Sequence, residues 1–309
     1  MSTLICLMGP TASGKTDIAL QLVKDFPFEI ISVDSALVYK QMDIGTAKPS
    51  NAQLLQTPHH LINIRDPAHP YSAADFYQDA LAAIKLIESK NKIPLLVGGT
   101  MLYFKVLQEG ISDLPSADKK LRQTILEQAH TLGWPAMHKK LIDIDELAAL
   151  RIHANDKQRI ARALEIYALT GQPISELQNK EAFFNSDNII VNIAVAPRDR
   201  AVLHDRIEKR FDLLLQNGFV EEVKQLFERG DLDLEKPAIR SVGYRQIWEY
   251  LQGNISYEEM REKGIIATRQ LAKRQLTWLR SWPNLQWFYS ENPKNYSAIK
   301  IYLESVLKE

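Results

Sequence analysis

The chain has 309 residues, 45% apolar and 25% charged, an ordinary globular composition with length for two units or for one core carrying an insertion. Lys and Arg together number 38, as do Asp and Glu, so no global field draws a polyanion and any such partner must meet a local basic patch. The single cysteine, Cys6, excludes a disulfide framework and a cysteine-rich zinc module, and no apolar run of about 18 residues exists to span a membrane.

Residues 4–8 form a short unbroken apolar run, which predicts a strand buried on both faces. No basic leader precedes it, so it reads as a strand and not as a signal peptide, and the cytoplasm is the expected compartment. Similar runs predict strands at 29–33, 60–64, 93–97 and 189–196, with a sixth at 286–289. Helical spacing lies between them at 17–24 and at 72–89, where Phe76, Ala80, Ala83, Ile84 and Ile87 recur behind an N-cap at Ser72. This alternation predicts an α/β fold with a parallel sheet. From 113 to 188 only helices are expected, at 118–131, 134–142 and 157–169, the last closed by Gly171 and Pro173. The chain therefore divides into a core of 1–112 and 189–309 and a helical insertion of 113–188. Further helices are expected at 199–216, 220–229, 240–251 and 256–282.

Between the first strand and first helix stand Gly9, Pro10, Thr11, Ala12, Ser13, Gly14, Lys15 and Thr16, a full match to G-x-x-x-x-G-K-[ST]. Gly14 permits a turn that aims successive N–H groups inward, the helix N-terminus adds partial positive charge, and Lys15 neutralises phosphate. The Thr16 hydroxyl is placed to join a Mg²⁺ shell. A diphosphate on any carrier satisfies these donors, so a kinase, a hydrolase and a transferase with a diphosphate leaving group all remain open. In an open parallel sheet, ligands sit beyond the carboxyl ends of the strands. Asp34 follows the second strand and Thr100 the fourth, so both should flank the phosphate loop, Asp34 as a proton acceptor or through-water Mg²⁺ ligand, or else as a cap of the following helix.

GPTASGKT, DSALVYKQMDIGTAKP, GGTMLYFKVL, QRIARALE and AIRSVGYRQ occur in this order. Together they resemble the tRNA dimethylallyltransferase (tRNA isopentenyltransferase) family, from the first strand to about Trp282. Lys40 and Gln41 stand where relatives often carry Arg and Gly. A C-terminal Cys/His zinc extension of the eukaryotic kind is not seen, and a bacterial type is expected.

The resemblance implies a P-loop NTPase-like three-layer core with an inserted all-helical domain. It implies transfer of a dimethylallyl group from dimethylallyl diphosphate to N6 of the adenosine immediately 3′ of a tRNA anticodon, with Mg²⁺ as cofactor. Asp34, Thr100 and Arg240 become the expected catalytic residues, Arg240 at the diphosphate or catalytic site. The tRNA anticodon stem-loop is expected to meet Asp34, Ser35, Ala36 and Leu37, with single contacts at Thr100 and Arg122. It is also expected to meet Gln158, Arg159, Ile160, Ala161 and Arg162 in the insertion. Arg240, Ser241, Val242, Gly243, Tyr244 and Arg245 form another expected contact. The last is Lys273, Arg274, Gln275, Leu276, Thr277, Trp278, Leu279 and Arg280. Residues 261–280 hold six basic residues and one acid, Glu262, which suits a phosphate backbone. A target adenine stacked in a loop must be extruded before its N6 can react. No obligate protein partner is evident, and a monomer is expected. Three rivals stay open: an adenine-nucleotide isopentenyltransferase, a small-molecule kinase with QRIAR as an arginine lid, and a non-catalytic RNA-binding protein.

Overall fold

The computed structural model describes residues 3–112, 114–177, 180–181 and 188–307. Two compact units emerge, one of residues 1–107 with 184–309 and one of residues 108–183. In chain order the first segment gives β1 (Thr3–Met8), α1 (Lys15–Asp25), β2 (Phe28–Val33), α2 (Asn51–Gln56), β3 (His59–His60), α3 (Ala73–Glu88), β4 (Ile93–Gly98) and α4 (Met101–Glu109). The middle segment gives β5 (Ile111–Ser112), α5 (Lys119–Leu132), α6 (Trp134–Ile144), α7 (Glu146–Arg151), α8 (Lys157–Thr170), α9 (Ile174–Leu177) and β6 (Lys180–Glu181). The last gives β7 (Ile189–Ala196), α10 (Arg200–Gln216), α11 (Phe219–Glu228), α12 (Tyr244–Leu251), α13 (Tyr257–Arg280), β8 (Leu285–Tyr289) and α14 (Asn295–Val306).

Six strands build one parallel sheet in the order β3-β2-β4-β1-β7-β8. Both faces are covered, which is why the central strands are apolar without alternation. Ile5, Leu7, Ile30, Leu95, Val191 and Ile193 pack on one face with Ile18 and Leu22 of α1 and Ile299 and Leu303 of α14. Their neighbours Leu4, Cys6, Ile31 and Leu96 are equally buried on the other face, where α3 lies against β2 and β4. Helix, sheet and helix make the three layers expected from the sequence.

The third strand is shorter than the expected 60–64. Leu61 and Asn63 both take positive φ, at 64° and 57°, which ends extended pairing after His60. The helix expected at 240–251 begins only at Tyr244, because Gly243 turns the chain at φ 90°.

The second unit has its own core of Ile125, Met137, Leu141, Ile160 and Leu164. Asp118, Asp145 and Asp156 cap α5, α7 and α8 through their side chains, and Gly171 closes α8 in the left-handed region at φ 71°. It is not wholly helical, since β5 and β6 pair as a two-residue antiparallel ribbon.

Candidate active site

Because all six strands run parallel, their carboxyl ends share one edge of the sheet. Connections from β1 lead first to the β2 side and later to β7 on the other flank, so the crevice lies beyond β1. A cavity of about 420 Å³ opens there. Alternate residues Ile30, Ser32 and Asp34 along and just past β2 reach it, as period-two geometry requires. From α10 it receives Ile207, Arg210, Phe211 and Leu214, which is one helical face at i, i+3, i+4 and i+7. From α13 it receives Thr268, Leu271 and Gln275.

Thr11 to Thr16 all line this cavity. Gly14 adopts φ 86° and caps α1 without any side-chain hydrogen bond, so the first amides of the helix are left for a ligand. Lys15 folds back over its own loop, donating to the Pro10 carbonyl at 2.7 Å and to Ser13 Oγ at 3.4 Å. Burial, and after it the Arg210 charge, lower its ammonium pKa to about 7, with Asp34 opposing both.

Arg210 was not picked out from the sequence. Burial lowers its guanidinium pKa while Asp34 and Asp17 oppose the shift. Among the described residues it makes no hydrogen bond or ion pair at contact distance. Two cations, Lys15 and Arg210, therefore meet a row of unoccupied amides in one half-enclosed space, an arrangement suited to a multiply charged anion.

Asp34 caps the turn that follows its strand. Its Oδ1 accepts from the amides of Ala36 at 2.8 Å and Leu37 at 3.3 Å, closing a local turn, while Oδ2 makes no hydrogen bond among the described residues. Thr100 Oγ1 accepts from the Ser35 amide at 3.1 Å, tying the turn after β4 to that after β2. Thr100 and Ser35 are not cavity-lining, whereas Gly98, Gly99, Ala36 and Leu37 are.

The wall between these turns and α11 rests on Glu222. This buried carboxylate accepts from the amides of Asp43, Ile44 and Gly45 at 2.8, 2.6 and 3.0 Å, and from the Tyr244 hydroxyl at 2.6 Å. Burial, then Glu222, push the Tyr244 phenol well above its usual range.

Among the described residues there is no cluster of three or more His, Cys, Asp or Glu that could hold a metal. Oxygen donors in the cavity include the Thr16 hydroxyl, the free Asp34 oxygen, and the Ser32 hydroxyl, which is buried without a partner. Such a set fits a hard cation that keeps water and phosphate oxygens as its other ligands.

The expected nucleic-acid contacts divide by exposure. Arg240 is exposed and does not line the cavity, although Ser241, Val242 and Tyr244 do, so the guanidinium facing the phosphate loop is Arg210. On α13 the exposed face carries Lys273, Arg274, Thr277 and Arg280, beside a half-buried Trp278 whose ring lies 5.7 Å from Lys105 Nζ. The side chains of Leu279, Tyr244, Ile160 and Ala161 are buried, and Leu276 packs on α10. Gln275 is likewise buried. Its Oε1 accepts from the Thr11 amide and its Nε2 donates to the Gly99 carbonyl, both at 2.9 Å. Gly243 caps α12, and Arg245 pairs with Glu249 on the same helix.

In the second unit Arg122 and Arg162 share the fully buried Glu165, at 2.8 and 2.9 Å. Burial alone would raise that carboxyl, but hydrogen bonds from Arg162 and Arg122 hold it below the usual glutamate range. Arg159 and Gln158 are exposed, Arg159 beside Asp156.

A family model described as IPP transferase matches residues 37–282. A tRNA dimethylallyltransferase of Coxiella burnetii is 56% identical over 303 residues, covering 98% of this chain and 97% of that protein. A crystal structure of a Bacillus halodurans tRNA isopentenylpyrophosphate transferase is 35% identical, with a TM-score of 0.72 and coverage of 100% and 97% of the two chains. A eukaryotic dimethylallyltransferase acting on tRNA reaches a TM-score of 0.84 at 26% identity, covering 99% of this chain and 79% of that one.

Proposed function

The chain belongs to the IPP transferase family, and from that premise we infer that it transfers a dimethylallyl group from dimethylallyl diphosphate to a tRNA. The acceptor atom is N6 of the adenosine 3′-adjacent to the anticodon, and the products are N6-dimethylallyladenosine and diphosphate. The observation that carries this reading is the two-sided cavity. Lys15, Arg210 and the phosphate-loop amides stand on one side, and the apolar residues Phe211, Leu214, Val242 and Leu271 line the same space.

Adenine N6 is a weak nucleophile because its lone pair is delocalised into the ring. The allylic carbon compensates, since loss of diphosphate builds a resonance-stabilised cationic fragment. The protein's work is therefore to hold the leaving group and to aim the two ends. The amides of Ala12 to Thr16, with Lys15 and Arg210, bind the diphosphate and stabilise its growing charge. The Thr16 hydroxyl, with Ser32 near it, would hold Mg²⁺, which would supply screening of that charge. The free Oδ2 of Asp34 accepts a hydrogen bond, and then the proton, from N6. Thr100 positions Asp34 through Ser35, whose amide it holds. The apolar stripe of α10 and α13 receives the five-carbon tail and excludes water from the cationic fragment.

Lys273, Arg274, Thr277 and Arg280 on α13 form the RNA-facing surface of the first unit, and Arg122, Gln158, Arg159 and Arg162 that of the second. No helix among the described residues is long and apolar enough to cross a membrane, and we place the protein in the cytoplasm as a monomer. The test is a direct comparison of acceptors with labelled dimethylallyl diphosphate: an anticodon stem-loop, AMP and ATP. Label should enter the stem-loop alone. Label in AMP or ATP would identify an adenine-nucleotide isopentenyltransferase instead.

A further inference from the structure

We propose that Gln275 is a positioning residue of the donor site: it sets the phosphate loop in its binding geometry, and it does not serve as an RNA contact. This builds on the reading of the cavity as a diphosphate site.

The loop needs such a support. Its amides are turned toward the cavity, and Ala12 and Gly14 both sit in the left-handed region, at φ 60° and 86°. Among the described residues, no backbone hydrogen bond of good geometry ties residues 10–13 to another part of the chain. Lys15 bonds the Pro10 carbonyl from within the loop. Among the described residues the one hydrogen bond that reaches this backbone from another element comes from Gln275, 264 residues away along the chain.

Gln275 is built to do this. Its side chain is buried, so both ends of the amide must be satisfied internally. The oxygen takes the Thr11 N–H and the nitrogen gives to the Gly99 carbonyl, each at 2.9 Å. The same amide therefore joins the turn after β1 to the turn after β4, the two that flank the reacting groups. The Thr11 amide is thereby spent on Gln275, which leaves Ala12 to Thr16 as the phosphate donors. Space at Gly99 is reserved for this contact, since a Cβ there would lie 2.3 Å from Gln275 Nε2. The helix that carries Gln275 is itself anchored to α10. Arg261 pairs with Asp212 at 2.6 Å, and Arg269 with Glu208 at 2.7 Å. Its neighbours Lys273 and Arg274 are exposed on the other face.

Two independent variants test the assignment. Gln275→Met keeps the length and removes both hydrogen bonds; Gly99→Ala leaves Gln275 in place and crowds its amide. Each is purified with the wild type and checked for its thermal midpoint. Affinity for inorganic diphosphate is measured by calorimetry and affinity for an anticodon stem-loop by fluorescence anisotropy. Each variant should bind diphosphate about tenfold more weakly, the equivalent of one lost hydrogen bond. The donor KM should rise in step, and stem-loop affinity should stay within about twofold. The Gln275→Met/Gly99→Ala double variant should be no weaker toward diphosphate than the weaker single one, because both act on one contact. Two results would overturn the proposal: a loss of stem-loop affinity with diphosphate affinity unchanged, which returns Gln275 to the RNA contacts, or an additive double variant. Should one variant fail to fold, the other still decides between these outcomes. Diphosphate binding is read without turnover, so a wild-type protein that binds diphosphate and transfers no prenyl group would refute the transferase reading and leave the role of Gln275 standing.

Discussion

Binding of the donor should draw a proton onto Lys15. In the free protein burial and the Arg210 charge hold its pKa at about 7, against 10.5 for an ordinary lysine. A diphosphate beside the ammonium reverses the electrostatic balance and favours the charged form. With a free-state pKa of 7, about nine-tenths of Lys15 is neutral at pH 8, so binding there should take up about 0.9 proton per donor. Affinity should be level below pH 7 and fall through the range above it, by about tenfold between pH 6 and pH 8, or about 1.4 kcal/mol. The donor's own last ionisation, near pH 6 for a phosphate monoester, is complete at the upper end of this range and would act in the opposite sense. Calorimetric titration of dimethylallyl diphosphate at pH 8, in two buffers of different ionisation heat, reads the uptake directly. Lys15→Ala should bind more weakly and show no uptake. Equal apparent enthalpies in both buffers for the wild type would refute the argument, because they would mean that Lys15 is already charged.

Asp34→Ala should lower turnover by about 10²- to 10⁴-fold, the usual span for a general base, with stem-loop affinity changed little. Single-turnover transfer and anisotropy would separate these, and a loss confined to RNA affinity would remove the base assignment. Gly45→Ala places a Cβ 2.0 Å from the Phe219 ring and 2.7 Å from that of Tyr244. It should cost about 1–3 kcal/mol in denaturant unfolding; an unchanged midpoint would show that this wall yields freely. Glu29 is a linkage site: burial alone would raise its carboxyl, but hydrogen bonds from His60, Lys92 and Lys90 bring it to about 2. Its stabilisation is therefore complete above the ordinary value of 4.5 and lost as pH falls from there toward 2. Screening of the half-exposed lysines leaves roughly 1–2 kcal/mol, and Glu29→Gln should flatten the urea midpoint of unfolding between pH 5 and 3.

What could be read from the sequence is what local pattern determines. β1, β2, β4 and β7 are apolar runs because both faces of the sheet are covered, and the phosphate loop is a contiguous motif between a strand and a helix. The place of Asp34 on the cavity followed from a strand end alone, whereas Thr100, expected beside it, does not line the cavity. Arg210 was missed because a lone arginine on a helix is usually solvated. The available signal was its place within an apolar stripe, with Ile207, Phe211 and Leu214 at the spacing of one helical face. Arg240 drew attention because it opens a recognisable motif, yet Gly243 holds it outside α12 and in solvent. Gln275 stood in a basic segment and read as part of it. Its burial depends on the docking of α13 against α10, and its partner lies at the opposite end of the chain. A contact of that separation leaves no trace in a local window.

The same geometry explains why this phosphate loop suits an ester that is cleaved at carbon. Lys15 and Arg210 repel one another in the free protein, and the Arg210 charge is, after burial, the second cause of the lowered Lys15 pKa. A diphosphate relieves that repulsion, and it does so more fully as the carbon–oxygen bond breaks and the leaving group gains negative charge. The interaction is thus stronger in the transition state than with the intact donor, which is the condition for it to raise the rate and not merely the affinity. The carbon fragment gains positive charge at the same moment, and two fixed cations beside it would oppose that development. Phe211 and Leu214 stand next to Arg210 on the cavity face of α10 and provide apolar lining for the fragment within the same space. The charge on that face suits the departing anion, and the rings and methyls suit what it leaves behind. Replacing Arg210 with Met should therefore cost more in turnover than in donor affinity. A loss of donor affinity with turnover unchanged would mean that the guanidinium holds the donor without favouring its cleavage.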